Sequence, residues 1–273
     1  MKFMILFALI AIGTSVAIGE QAIRLPLPDA ITEKFPWMIN EPLNDERERI
    51  VGGSNASPGD AVYQIALFRK DSFTCGGSLI SSRTVLTAAH CVFGDEATPS
   101  YFKIRYNTLD RTNGPPIGVS KIYRHNLYSS SPIDYDVATL ILSQPFTPSA
   151  NADIIPLTTS EPADGTKLQI TGWGRLKSGG TLPTILQIAS VTKMSRTKCS
   201  STWGSVNAIT NRMLCAHNSN QASCNGDSGG PLVSNGHLVG VVSWGPSTCL
   251  STKYPTIYSN VANLRNWIIS NTV

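Results

Sequence analysis

The chain has 273 residues, with 22 Lys and Arg against 18 Asp and Glu for a formal charge of +4, and 41% of it is hydrophobic. Its basic residues stand singly, with no Arg or Lys stripe and no aromatic interleaving, which argues against a nucleic-acid partner. Past the first 19 residues no apolar run approaches the length of a membrane span, so a soluble mature protein is expected.

At the start, Lys2 precedes the apolar run Phe3 to Ile12, which is too short to cross a bilayer, and small residues follow. That pattern predicts a secretory signal over residues 1–19, cut after Ala17 or Gly19. Residues 20–49 differ in character. Pro26, Pro28, Pro36 and Pro42 punctuate them, charge collects in Asp45-Glu46-Arg47-Glu48-Arg49, and the apolar pattern is too sparse for a core. They read as a propeptide. Residues 50–273 hold 17 of the 22 Lys and Arg and 11 of the 18 Asp and Glu, a mature charge of +6. Their length is large for one domain but suits a pair of β-barrels sharing an interface.

Within that stretch, Ala61–Leu67, Thr84–Leu86, Phe102–Tyr106, Ala138–Leu142, Leu168–Thr171, Ile185–Val191 and His237–Trp244 read as short strands between Gly, Pro, Asn and Ser. Only the C-terminus looks helical, with Val261, Leu264, Trp267 and Ile268 recurring on one face. Many short strands and one terminal helix predict an all-β barrel architecture. Six cysteines in a secreted chain predict disulfides, with fifteen pairings open. There is no C-x-x-C and no clustered histidine, so no metal is expected, and no cofactor either.

The chemistry concentrates in Cys224-Asn225-Gly226-Asp227-Ser228-Gly229-Gly230-Pro231-Leu232. A serine hydroxyl is a weak nucleophile at neutral pH and needs a base beside it and donors for the developing charge. The flanking glycines let backbone N–H groups approach a substrate closely. Taken alone, the stretch could equally be a polar surface turn, so its partners decide. Of four histidines, only His90, in Leu86-Thr87-Ala88-Ala89-His90-Cys91, follows a strand-like run, touches a cysteine and has small neighbours. Asp136 sits just ahead of the strand Ala138–Leu142, where a buried carboxylate could orient an imidazole. Asp134 is the competing choice, unless it is a solvated loop acid.

The order His, Asp, Ser with these flanks resembles the chymotrypsin/trypsin family of serine proteases. The likeness runs from Ile50 to Val273 and includes Ile50-Val51-Gly52-Gly53, Cys75-Gly76-Gly77-Ser78-Leu79-Ile80, Thr171-Gly172-Trp173-Gly174 and Ser243-Trp244-Gly245. The stretch Ile50 to Asp60 also looks like the mite collagenolytic serine proteases of allergen group nine.

The resemblance implies two antiparallel β-barrels, the first running to about residue 155, with the active site in the cleft between them. Ser228 is then the nucleophile, His90 the general base and Asp136 its orienting partner, and the amides of Gly226 and Ser228 form the oxyanion hole. Ser243, Trp244 and Gly245 pair with the substrate backbone, and Ser243 also touches Asp136. The implied disulfides are Cys75–Cys91, Cys199–Cys215 and Cys224–Cys249. Cleavage after Arg49 by a trypsin-like protease frees the Ile50 amine to pair with Asp227, and the uncut chain is expected to leave that loop unformed.

The specificity pocket departs from trypsin. Its floor falls at Ala222, where trypsins carry an aspartate, with Ser223 beside it and Thr256 narrowing one wall. An Arg or Lys side chain would be desolvated there without a partner, so Leu, Phe, Met or Tyr is expected before the scissile bond. The loop Thr108 to Pro116 has Asp110 as its only acid and lacks the paired glutamates that hold calcium in trypsins. Asn55-Ala56-Ser57 is an N-glycosylation sequon, followed at once by Pro58. The implied partners are protein and peptide substrates and protein protease inhibitors, met by a secreted digestive monomer. A catalytically silent homologue that binds partners and a trypsin-like enzyme are the rival readings.

Overall fold

The structure, a computed structural model, describes residues 50–273. The expected signal segment, the propeptide and Arg49 lie outside the described residues. In chain order the first strands are β1 (Ser54–Asn55), β2 (Gln64–Arg69), β3 (Ser72–Leu79), β4 (Thr84–Thr87), β5 (Phe102–Arg105), β6 (Pro116–Arg124), β7 (Ser129–Ser130), β8 (Ile133–Asp134) and β9 (Ala138–Leu142). Strands β2-β3-β4-β9-β6-β5 close into an antiparallel barrel. Strand β6 alternates buried Ile117, Val119 and Ile122 with exposed residues, as a strand with one wet face must, and a register shift between Val119 and Lys121 absorbs the odd spacing. In β9 every residue is buried, because this strand is covered on both faces.

The second set is β10 (Lys167–Gly172), β11 (Gln187–Met194), α1 (Arg196–Trp203), β12 (Met213–His217), β13 (Pro231–Ser234), β14 (His237–Trp244), β15 (Thr256–Asn260) and α2 (Val261–Ser270). Strands β11-β10-β13-β14-β15-β12 follow one another, pairing of β11 with β12 closes a second six-stranded barrel, and β1 is added at β11. The barrels meet through buried polar contacts as well as apolar ones. Thr171 donates to Gln64 Oε1 at 2.6 Å, and Gly76 N donates to the Ser228 carbonyl at 2.8 Å.

The expected strands are present with shifted ends: the first starts at Gln64, since Ala61–Tyr63 form a turn. Two features depart from the sequence expectation. Helix α1 was not foreseen, because only Cys199 and Trp203 of its eight residues are buried and it shows almost no apolar stripe. Its start is capped by Ser195, which accepts from Lys198 N, and its inner face is held by the Cys199–Cys215 bond and by Trp203 Nε1 donating to Pro255 O. Strand β3, which carries Gly76-Gly77, was not among the expected strands. A Cβ on Gly77 would stand 2.9 Å from both Ile65 and Val85, so the absent side chain is a packing requirement of the barrel interior.

Leu140 is fully buried in β9, four residues after Asp136 and paired on both sides to β4 and β6. Leu140→Ala should destabilise the fold by ~2–5 kcal/mol, read as a lowered urea midpoint with an unchanged slope.

Candidate active site

His90 lies in a short 3-10 turn, Ala89–Cys91, just after β4, and the Cys75–Cys91 disulfide ties that turn to β3. Its Nδ1 is 2.8 Å from Asp136 Oδ2, and its backbone N donates to Asp136 Oδ1 at 2.9 Å. Asp136 is 2% exposed. The second barrel reaches it twice: Ser243 Oγ donates to Oδ2 at 2.5 Å, and Ser259 Oγ donates to its carbonyl at 2.7 Å. Burial opposes charge on both groups, but mutual attraction and these hydrogen bonds win. The Asp136 carboxyl is held below the usual carboxylate range and the His90 imidazole above its ordinary value.

The loop that carries Ser228 is held against the residues leading into His90 by its own backbone and its neighbours'. The Ser228 carbonyl accepts from Gly76 N, and Gly229 N donates to Val242 O at 2.8 Å. A Cβ on Gly229 would fall 2.1 Å from Thr87 Oγ1 and 3.1 Å from Ala88 N, so only glycine allows the serine loop to lie against the residues that lead into His90. In the same loop the amides of Asp227, Gly229 and Gly230 are consumed by Cys224 O, Val242 O and Asp227 O. The amides of Gly226 and Ser228 bond to no group among the described residues, and Gly226 has φ +101°, a conformation suited to glycine. Two bare N–H groups beside a serine can stabilise an oxyanion.

Asp227 is 2% exposed. Gly174 N donates to its Oδ1 at 2.7 Å and Cys224 N to its Oδ2 at 2.8 Å. The glycines of Thr171-Gly172-Trp173-Gly174 make this possible, since a Cβ on either would stand 2.1–2.3 Å from atoms of that carboxyl group. Burial pushes its pKa up to about 6, against the two backbone donors. Ile50 is also fully buried. The two backbone amides and a raised proton affinity compensate the buried carboxyl.

Of the remaining expected residues, Ala222 and Thr256 line a small recess. Ala222, Ser223 and Thr256 are buried, Ser223 Oγ lies 3.2 Å from the Tyr258 hydroxyl, and a Cβ on Gly245 would touch Thr256 at 3.5 Å. The lining at Ala222 includes Ala216, Cys249, Ser251, Tyr254 and Thr256 and has no carboxylate. Ser243 and Trp244 end β14 beside it, and the Cys224–Cys249 disulfide joins the serine loop to the far wall. Cys75, His90 and Cys91 cluster closely enough to suggest a metal site, but both sulfurs are committed to a disulfide and have no thiolate to offer. Asp110 is occupied by Thr112, which donates both its N and its Oγ1. Sequence reasoning missed Ser259, which carries no motif and reaches Asp136 only once β15 is in register.

A family model described as Trypsin matches residues 50–268. The chain is similar to Trypsin Blo t 3 of Blomia tropicalis, 45% identical over 228 residues covering 80% of this chain and 84% of that protein. It is similar to Trypsin alpha-4 of Lucilia cuprina, 40% identical over 224 residues covering 81% and 87%. To Trypsin alpha of Drosophila melanogaster it is 40% identical over 225 residues, covering 81% and 87%.

The raised pKa of Asp227 has a definite sign in stability. A carboxyl that is harder to ionise when folded favours the fold below its unfolded value, near ~3.9, and that advantage is lost as pH rises through about 6. For the uncut chain, wild type should therefore lose ~2 kcal/mol relative to Asp227→Asn between pH ~4 and ~6.5. Urea unfolding of both proteins across that range tests this, and a constant difference would remove the assignment.

Proposed function

The chain belongs to the trypsin family of serine endopeptidases, and from that premise we propose that it hydrolyses peptide bonds with Ser228, His90 and Asp136 as its triad and prefers an apolar residue before the scissile bond. The contact between His90 Nδ1 and Asp136 Oδ2 at 2.8 Å, with the bare amides of Gly226 and Ser228 nearby, carries the first part. Ser228 Oγ attacks the carbonyl as His90 takes its proton, and His90 returns that proton to the leaving amine. Asp136 fixes the ring tautomer and stabilises the imidazolium without itself taking the proton. The segment Ser243-Trp244-Gly245 offers backbone for pairing with an extended substrate.

The preference rests on Ala222. With no anion among the lining groups, a Lys or Arg side chain would lose its hydration uncompensated, while Thr256 opposite Gly245 limits depth and favours Leu or Met alongside Phe and Tyr. The relatives' shared name, trypsin, is the observation in favour of cleavage after Arg or Lys. A peptide-library digest separates the two. Apolar residues should exceed Arg at that position by roughly 10²-fold in kcat/KM, with no turnover by Ser228→Ala, and a dominant Arg signal would replace the reading with the trypsin-like one. The narrower likeness to mite collagenolytic proteases extends the substrates to collagen, tested by digestion of native collagen.

The proposal includes a secreted zymogen, with residues 1–19 removed as a signal and 20–49 as a propeptide. Cleavage after Arg49 frees the Ile50 amine beside the buried Asp227 carboxyl, giving that charge a cationic partner. Asn55 is exposed, and its Oδ1 accepts from Gln187, so an N-glycan on its amide nitrogen is compatible with β1. An enzyme with a neutral pocket cannot efficiently cut after Arg49. Purified proenzyme given a trace of mature enzyme should stay intact, whereas a trace of trypsin should yield Ile50 as the new N-terminus. Rapid appearance of Ile50 without trypsin would contradict the pocket assignment.

A further inference from the structure

Asp134, the rival to Asp136 in sequence, is not a solvated loop acid. Arg212, in the turn before β12 of the second barrel, grips it with Nε at 3.0 and 3.2 Å from its two carboxylate oxygens and Nη2 at 2.5 Å, and Thr210 Oγ1 adds a contact at 3.2 Å. Both side chains are partly buried, and the pairing holds the Asp134 carboxyl low and the Arg212 guanidinium high. A two-point guanidinium–carboxylate contact fixes orientation as well as distance. A second tie runs nearby, from Asn207 Nδ2 to Ile133 O.

Between Asp134 and Asp136 stands Tyr135, whose φ of +51° is left-handed and unfavourable for a residue with a side chain. The conformation is imposed from several directions. Asp134 Oδ1 accepts from Tyr135 N at 2.8 Å, and Val137 N donates back to Tyr135 O. The Tyr135 ring lies between the Arg212 guanidinium, 4.3 Å from its centroid, and the His125 ring at 4.5 Å, which also packs on Trp267 at 4.8 Å. His125 N in turn donates to Val137 O. The charged and titratable groups around this stack are Asp134, Arg212, His125 and Arg124.

We infer that Arg212 is a positioning residue for the triad: by clamping Asp134 and capping Tyr135 across the barrel interface, it holds the left-handed turn that aims Asp136 at His90. The inference rests on the triad assigned above. Arg212 touches no reacting atom in this arrangement; it acts through the backbone of one strained residue. Losing the clamp lets Tyr135 relax toward an ordinary φ, which rotates the next residue and lengthens the contact between Asp136 and His90.

The test uses the trypsin-activated enzyme, with concentrations set by active-site titration with a covalent serine-directed probe so that unfolded protein is not counted. In Arg212→Met, which keeps the apolar stem, kcat should fall roughly 10-fold while KM for a small amide substrate stays within about twofold. The acid limb of its kcat/KM profile should move to lower pH, because a slacker Asp136 contact raises the imidazole pKa less. Should Arg212→Met not fold, the nearly isosteric Asp134→Asn must show the same changes at smaller size. Wild-type kcat and acid limb in the variant that folds would overturn the inference, as would a raised KM with kcat unchanged. If wild type itself fails to take up one equivalent of probe, the triad assignment falls and this inference with it, a result distinguishable from a variant that merely matches wild type.

Discussion

The Asp136 carboxylate is the constraint to which the rest of the molecule answers. It is buried, it is ionised, and no single barrel satisfies it. Two of its donors, His90 N and Nδ1, belong to the first barrel, and the third, the Ser243 hydroxyl, comes from the second, where Ser259 also donates to the Asp136 carbonyl. Leaving such a charge without partners costs several kcal/mol, so the docking of the barrels and the geometry of His90 are one equilibrium. The glycines of the serine loop, the Gly76 contact to Ser228 and the bond from Thr171 to Gln64 are the local means by which two closed sheets come near enough to share that charge.

Much of this was legible in the sequence because the candidate residues carry their surroundings with them. His90 stands between two alanines and a cysteine, Ser228 sits among glycines, and Asp136 opens an apolar strand. What stayed hidden depends on register or on contact with another element. Ser259 looks like any strand residue until β15 lies beside β14. Helix α1 is made helical by a cap and a disulfide, not by a stripe. Strand β3 carries a Gly-Gly whose place in a strand shows only once the Ile65 and Val85 side chains are seen filling the space. Asp134 looked like a loop acid because its partner lies 78 residues away.

The bare amides of Gly226 and Ser228 and the burial of Asp227 depend on backbone placement and on small residues. The recess beside Ala222 depends instead on a few side chains, and none of those lining it is a carboxylate. Family membership bears on the first kind of feature; what the recess admits is a matter of its side chains.

The three disulfides span 16, 16 and 25 residues, and among the described residues each closes a loop inside one barrel. No covalent cross-link ties one barrel to the other, so apart from the connecting chain their union is wholly non-covalent. An oxidising environment therefore toughens each half without strengthening the seam between them. The seam is instead closed by a shared apolar core, in which Val233, Leu238, Val241 and the buried face of α2 pack with first-barrel residues, and by the C-terminal carbonyls of Asn271 and Val273 that accept from Thr139 and Thr84. The last residues of the chain thus act as a strap across the joint that no cysteine bridges.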